Sequence, residues 1–329
     1  MRRVLLLIAG VAGALVPAAP AFAHGGDAPS ATAYRTTITG VTLDGVSVRT
    51  VEAGARLELT NDTGRPVEIL GYSGEPYLEV RSDGTWQNVS SPAAYTNQTL
   101  LGDTPVPASA DPTAPPSWRK ISSSTTVRWH DQRTHWLTPG LPAAAASDPS
   151  RTHRLRDWVV PLRIQASTFE IRGTLDWEPP PRTWLWWLLS GFIGITLALV
   201  GHRWVRPVAL LAGLSPLAYA VSRAMDGGSA PVVVLLAGLV GLAAAYRHPP
   251  FFLALSGAVV ALFGGFAEAG VLGAAVLPAA GPGWLARTLV VTAVGGGAAM
   301  ALTGVLRLRA ALSAAPAAPR RAGLSFVHD

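Results

Sequence analysis

The sequence predicts an α+β protein in two parts: an all-β, sandwich-like extracytoplasmic domain, then a transmembrane bundle of about five α-helices. Three observations predict it. Residues 34–82 alternate with period two and are rich in β-branched side chains. Five apolar stretches of membrane-spanning length occupy 184–306. The chain opens on a leader that is basic, then apolar, then small.

The leader comes first. Arg2 and Arg3 form a positive start, residues 4–16 an apolar run, and Ala21, Phe22 and Ala23 an A-x-A cleavage site. The apolar run falls short of the roughly 20 residues that cross a bilayer. A signal peptide over 1–23 is therefore expected, leaving His24 as the mature N-terminus.

The β domain is expected over 24–178. Strands are expected at 34–41, 46–51, 55–60, 66–70 and 77–80. Asn61, Asp62, Thr63 and Gly64 form a turn, and Ser82, Asp83 and Gly84 the next. Residues 88–118 are rich in Pro, Ser, Ala, Thr and Asn, which predicts a long irregular excursion. Strands resume at 125–129, 157–164 and 168–177. The last places Phe169, Ile171, Gly173, Leu175 and Trp177 on one side. Pro179, Pro180 and Pro181 then stiffen a linker at 179–183.

The bundle is expected over 184–310, with spans near 184–201, 205–222, 231–246, 250–268 and 285–306, and a cytoplasmic tail at 311–329. An exported head puts the first span's start outside. The inner loops then hold Arg203, Arg206, Arg247, Arg307, Arg309, Arg320 and Arg321, and the outer loops only Arg223 and Arg287. That bias obeys the positive-inside rule. Trp184, Trp186 and Trp187 mark the outer interface and Trp204 the inner one. Glu268, Arg223, Asp226, His202 and His248 are expected at interfaces. Residues 269–283 fit a re-entrant loop, a broken helix or a sixth short span. The predicted location is the plasma membrane, multi-pass, with the lipid bilayer as a partner.

Charge excludes a nucleic-acid binder. The chain carries 26 Lys+Arg against 20 Asp+Glu, a net of +6. Residues 24–183 hold 15 bases and 17 acids, a net of −2, so the excess lies in the leader and the membrane half. Cysteine is absent, which removes disulfides, thiol nucleophiles and thiolate metal sites. No G-x-S-x-G, S-x-x-K or Rossmann fingerprint occurs in a fitting context, so an enzyme is not expected.

One stretch concentrates functional groups: Arg128, Trp129, His130, Asp131, Gln132, Arg133, Thr134, His135 and Trp136 in succession. In a loop, His130 and His135 can face one ion. Imidazole suits copper or zinc, with Asp131 as ligand or second acceptor. The structural reading is that the tryptophans pack in the core while the other groups hold the loop. His24 adds a terminal amine and an imidazole on one residue, as in a histidine brace. The candidate metal set is thus His24, His130, His135 and Asp131.

Four stretches resemble a family of actinobacterial multi-pass membrane proteins of unassigned function. They are Leu70-Gly-Tyr-Ser-Gly-Glu-Pro-Tyr-Leu78, Thr104-Pro-Val-Pro-Ala-Ser-Ala-Asp111, the 128–136 segment and Gly173-Thr-Leu-Asp-Trp-Glu178. The resemblance implies architecture, not activity. His24 is also similar to the first ligand of copper-handling domains of the CopC type, β-sandwiches that begin with His. Their later Asp-Gly-His pattern and Met-rich runs are missing here. The expectation is a non-enzymatic binding protein of the cell envelope with a ligand or an envelope protein partner. A copper module is the alternative, and a transporter component the second alternative.

Overall fold

The computed structural model describes residues 30–201, 203–228 and 231–314. The expected signal peptide, His24, His202 and most of the tail lie outside the described residues.

The all-β expectation holds at the level of two antiparallel sheets. Ten strands form: β1 Tyr34–Val41, β2 Val46–Val51, β3 Arg56–Asn61, β4 Val67–Leu70, β5 Pro76–Arg81, β6 Gly84–Asn88, β7 Trp118–Ser122, β8 Thr126–Trp129, β9 His153–Ile164 and β10 Ser167–Trp177. Seven make one sheet in the order β1-β10-β9-β4-β5-β6-β7, and β2-β3-β8 make the other. Alternation explains the pairing. Leu57 and Leu59 point inward from β3, Ile171 and Leu175 from β10, and all four are fully buried. They join Ile69, Leu78, Val80, Val127, Trp129, Val160 and Leu162 in one cluster that draws on both sheets. Burial of this apolar area, at ~25 cal/mol per Å², is what holds a disulfide-free domain together.

Two strands escape the sequence reading. β6 and β7 flank the 88–118 excursion, and β7 is an edge strand exposed along most of its length. An edge with no buried face has no alternation to read. Arg81 and Lys120 cover it by stacking over Trp86 at 4.4 and 5.7 Å.

The second half is helical: α1 Thr183–Gly201, α2 Val205–Met225, α3 Val232–Tyr246, α4 Pro250–Val259 and α5 Gly283–Ala314. From α4 the chain continues through a π segment, Val260–Gly265, and a 3-10 turn, Phe266–Leu272. Four helical units are long and apolar enough to cross a membrane: α1, α2, Pro250–Leu272 and α5. The fifth, α3, has 15 residues, about 22 Å at 1.5 Å each. Residues 273–282 form a loop, so no sixth helix stands there. Small residues let the helices close. A Cβ on Gly297 would meet Ala261 N at 2.5 Å and Gly257 O at 2.7 Å.

Contacts with the head sort the bundle into two ends. The α2–α3 connection touches the head through Asp226 and Gly227, and the loop before α5 through Val276. Arg203 and Arg247, in the other connections, and Arg206, in the first turn of α2, therefore lie at the far end.

Of the ionisable groups expected at interfaces, Glu268 and Arg223 are buried, while Asp226 and His248 are partly exposed. Glu268 and Arg223 are 7% and 4% exposed, and Arg223 Nη1 donates to Glu268 Oε2 at 2.9 Å. Tyr219 donates to the same oxygen at 3.1 Å. Arg287 turns inward and donates to the carbonyls of Val271 and Ala274. Mutual pairing is what makes such burial affordable. The helix break at Gly265 brings Glu268 back toward α2.

Candidate functional site

The 128–136 segment starts on β8 and ends in a 3-10 turn, Gln132–Thr134. Trp129 is buried in the core. Asp131 is fully buried and caps the turn. Its Oδ1 accepts from Arg133 N at 3.1 Å and Arg133 Nε at 2.8 Å. Its Oδ2 accepts from Arg133 Nη2 at 2.7 Å and Trp129 Nε1 at 3.1 Å. Four donors occupy this carboxylate, which makes it a structural anchor for the loop.

His130 is engaged at both ring nitrogens. Arg56 Nε donates to its Nε2 at 3.1 Å, so Nδ1 carries the hydrogen and donates to Ala55 O at 2.7 Å. Neither nitrogen offers a lone pair to an ion in this arrangement. His135 differs. Its ring Nε2 is buried and has no hydrogen-bond partner. Burial, and then the neighbouring His130, push its pKa down to about 4, so the ring is neutral near pH 7. Among the described residues no three His, Asp or Glu side chains are grouped to hold a metal.

Both histidines line one cavity of about 140 Å³ in the head. Tyr34 of β1 and Trp136 stack at 6.4 Å along its wall. Leu100, Leu101 and Leu137 supply an apolar side. The remaining wall is a 3-10 turn, Glu52–Gly54, between β2 and β3. Glu52 is 5% exposed. Its Oε1 accepts from Arg56 Nη1 at 3.4 Å, while its Oε2 is buried without a partner.

That turn is unusual in its backbone. Glu52, Ala53 and Gly54 all have positive φ, at +59°, +60° and +84°. Only the glycine adopts this without steric cost. The bundle holds the other two. Asp226 O accepts from Glu52 N at 3.3 Å, and Asp226 Oδ2 accepts from Ala53 N at 3.1 Å. Arg128 Nη1 donates to Gly227 O at 2.6 Å beside them. Behind the turn lies a second cavity of about 280 Å³, lined by Arg35, Asp226 and the 275–283 loop. Ala53 and Gly54 border both spaces, so the turn is a partition between them.

Fold and site together define a β-rich head with a small polar-based cavity, seated on an apolar helical bundle. No family model, curated protein or solved structure matches the chain. Of the sequence candidates, the structure brings His130 and His135 to one cavity, sends Asp131 into the loop scaffold, and leaves His24 outside the described residues. Sequence reasoning missed Glu52. Gly54 signals a turn there, but nothing local shows that the turn lines one cavity with His130, His135 and Trp136.

Proposed function

We propose that the protein is a membrane-anchored, non-enzymatic binding protein of the bacterial cell envelope, and that the cavity beside Glu52 and His135 takes its ligand. The observation that carries this reading is a pair of buried, unpartnered polar atoms, Glu52 Oε2 and His135 Nε2, on two residues that line one cavity. A buried polar atom without a partner costs about 1–3 kcal/mol, more if charged, and a ligand group that fills the space relieves that cost. The two sheets act as a sandwich-like exported head after removal of residues 1–23. All five helices cross the bilayer, with α3 short by several ångströms. The arginine-rich end then faces the cytosol, together with the C-terminus. The test is a series of C-terminal reporter fusions. Phosphatase activity of a fusion after residue 314 contradicts the orientation.

A copper module is the second reading, and one observation favours it. His135, with an unpartnered Nε2, and Ser30 line the same cavity. His24 lies six residues before Ser30, a span of up to roughly 20 Å when extended. The terminal amine and ring of His24 with His135 would complete a three-nitrogen set. Copper titration of the mature chain checks it: loss of binding in both His24→Ala and His135→Ala supports the set, and binding indifferent to both removes it.

A further inference from the structure

Resting on the binding reading above, we propose that the head cavity is selective for a small organic amine, with its ammonium group toward Glu52 and its carbon skeleton along the Trp136 side. Charge is the first reason. Among the residues lining the cavity, Glu52 is the only one with a formal charge at neutral pH, and no Lys or Arg lines it. Arg56 reaches Glu52 Oε1 at 3.4 Å from behind but does not line the cavity, so an anionic ligand would meet a carboxylate with no cation on the cavity wall. Hydrogen bonding is the second. Glu52 Oε2 and His135 Nε2 both lack partners. The ring of His135 is neutral, so it adds no positive charge to the site. An ammonium carries three donors and no acceptor, which matches the Glu52 carboxylate and, in its Nδ1–H tautomer, His135 Nε2. It also makes a charge-assisted hydrogen bond to the second carboxylate oxygen, which a water molecule does not.

The walls give the third reason. The stacked Tyr34 and Trp136 rings and the side chains of Leu100 and Leu101 favour an organic skeleton over a hydrated ion. Aromatic faces beside a carboxylate also attract cations directly. The cavity volume, about 140 Å³, limits the ligand to a few carbons.

The test uses the full chain in detergent micelles and three matched probes: n-butylamine, 1-butanol and butyrate. Binding is read by calorimetry and by ligand-observed NMR. The expected result is binding of the amine alone, weakened at least tenfold in Glu52→Gln. If that variant fails to fold, Leu101→Trp replaces it. Leu101 is 69% exposed at the rim, so an indole there blocks entry without disturbing the core. Equal binding of butanol and butylamine overturns the proposal, as does amine binding indifferent to both variants. Copper binding lost in His135→Gln, with no amine response, ends the amine proposal and leaves the binding-protein reading standing. Silence of every probe, copper included, ends both.

Discussion

Removal of Asp131 tests the claim that the histidine-rich segment is anchored from within. The carboxylate is fully buried and accepts four hydrogen bonds, three of them from Arg133. Asp131→Ala leaves the Arg133 guanidinium, whose side chain is 20% exposed, without its counter-charge. It also strands the buried Trp129 indole N–H. Breaking a buried pair in this way costs about 3–5 kcal/mol. For a domain of this size that lowers Tm by roughly 6–20 °C. The assay is thermal unfolding of the full chain in detergent, followed by the near-ultraviolet signal of the head's tryptophans. A second variant isolates the mechanism. Asp131→Ala combined with Arg133→Met removes both charges, and its loss should be clearly smaller than the sum of the two single losses. A Tm change under 2 °C in Asp131→Ala refutes the reasoning. Strict additivity refutes the pairing.

Three further outcomes follow from the same geometry. Ala53→Gly relieves a left-handed alanine and should stabilise the head by about 1 kcal/mol, seen as a higher unfolding midpoint; a lower one contradicts the strained turn. His135 has a folded pKa near 4, below its usual 6.5, because burial disfavours its charged form. The unfolded chain therefore binds the extra proton first, so stability is full above pH 6.5 and falls as pH drops toward 4. His135→Gln should flatten that part of the stability–pH curve, and an unchanged slope would count against the buried ring. Gly227→Val places a Cβ 3.0 Å from the Val51 side chain at a φ of +92°. It should loosen the head from the bundle and speed hydrogen exchange at the Glu52 and Ala53 amides at least tenfold, with exchange elsewhere in β2 and β3 as the control.

Much of the architecture was legible because two periodicities are local. Alternation marked β1 to β5 and the inward row of Phe169, Ile171, Gly173, Leu175 and Trp177 on β10, since each residue's neighbour two along declares the same face. Hydropathy marked the helices for the same reason. β7 was missed because an exposed edge leaves no such trace, and β6 because the burial of its five residues does not alternate. The β9–β10 turn was also silent. It passes through Gln165 at φ +53°, a residue that carries no turn signal, and the long flanking pairing sets the register instead.

Sequence by itself determined the division into a polar, strand-forming part and an apolar, helical part, because composition and short-range periodicity are properties of neighbouring residues. Only the tertiary structure decided which polar groups face a cavity and which are consumed. It spent Asp131 on Arg133 and His130 on Arg56 and Ala55, paired Glu268 with Arg223, and left Glu52 Oε2 and His135 Nε2 without partners on two residues that line one cavity. The physical reason is that hydrogen-bond satisfaction depends on what arrives from distant segments. Neighbours in sequence do not reveal it.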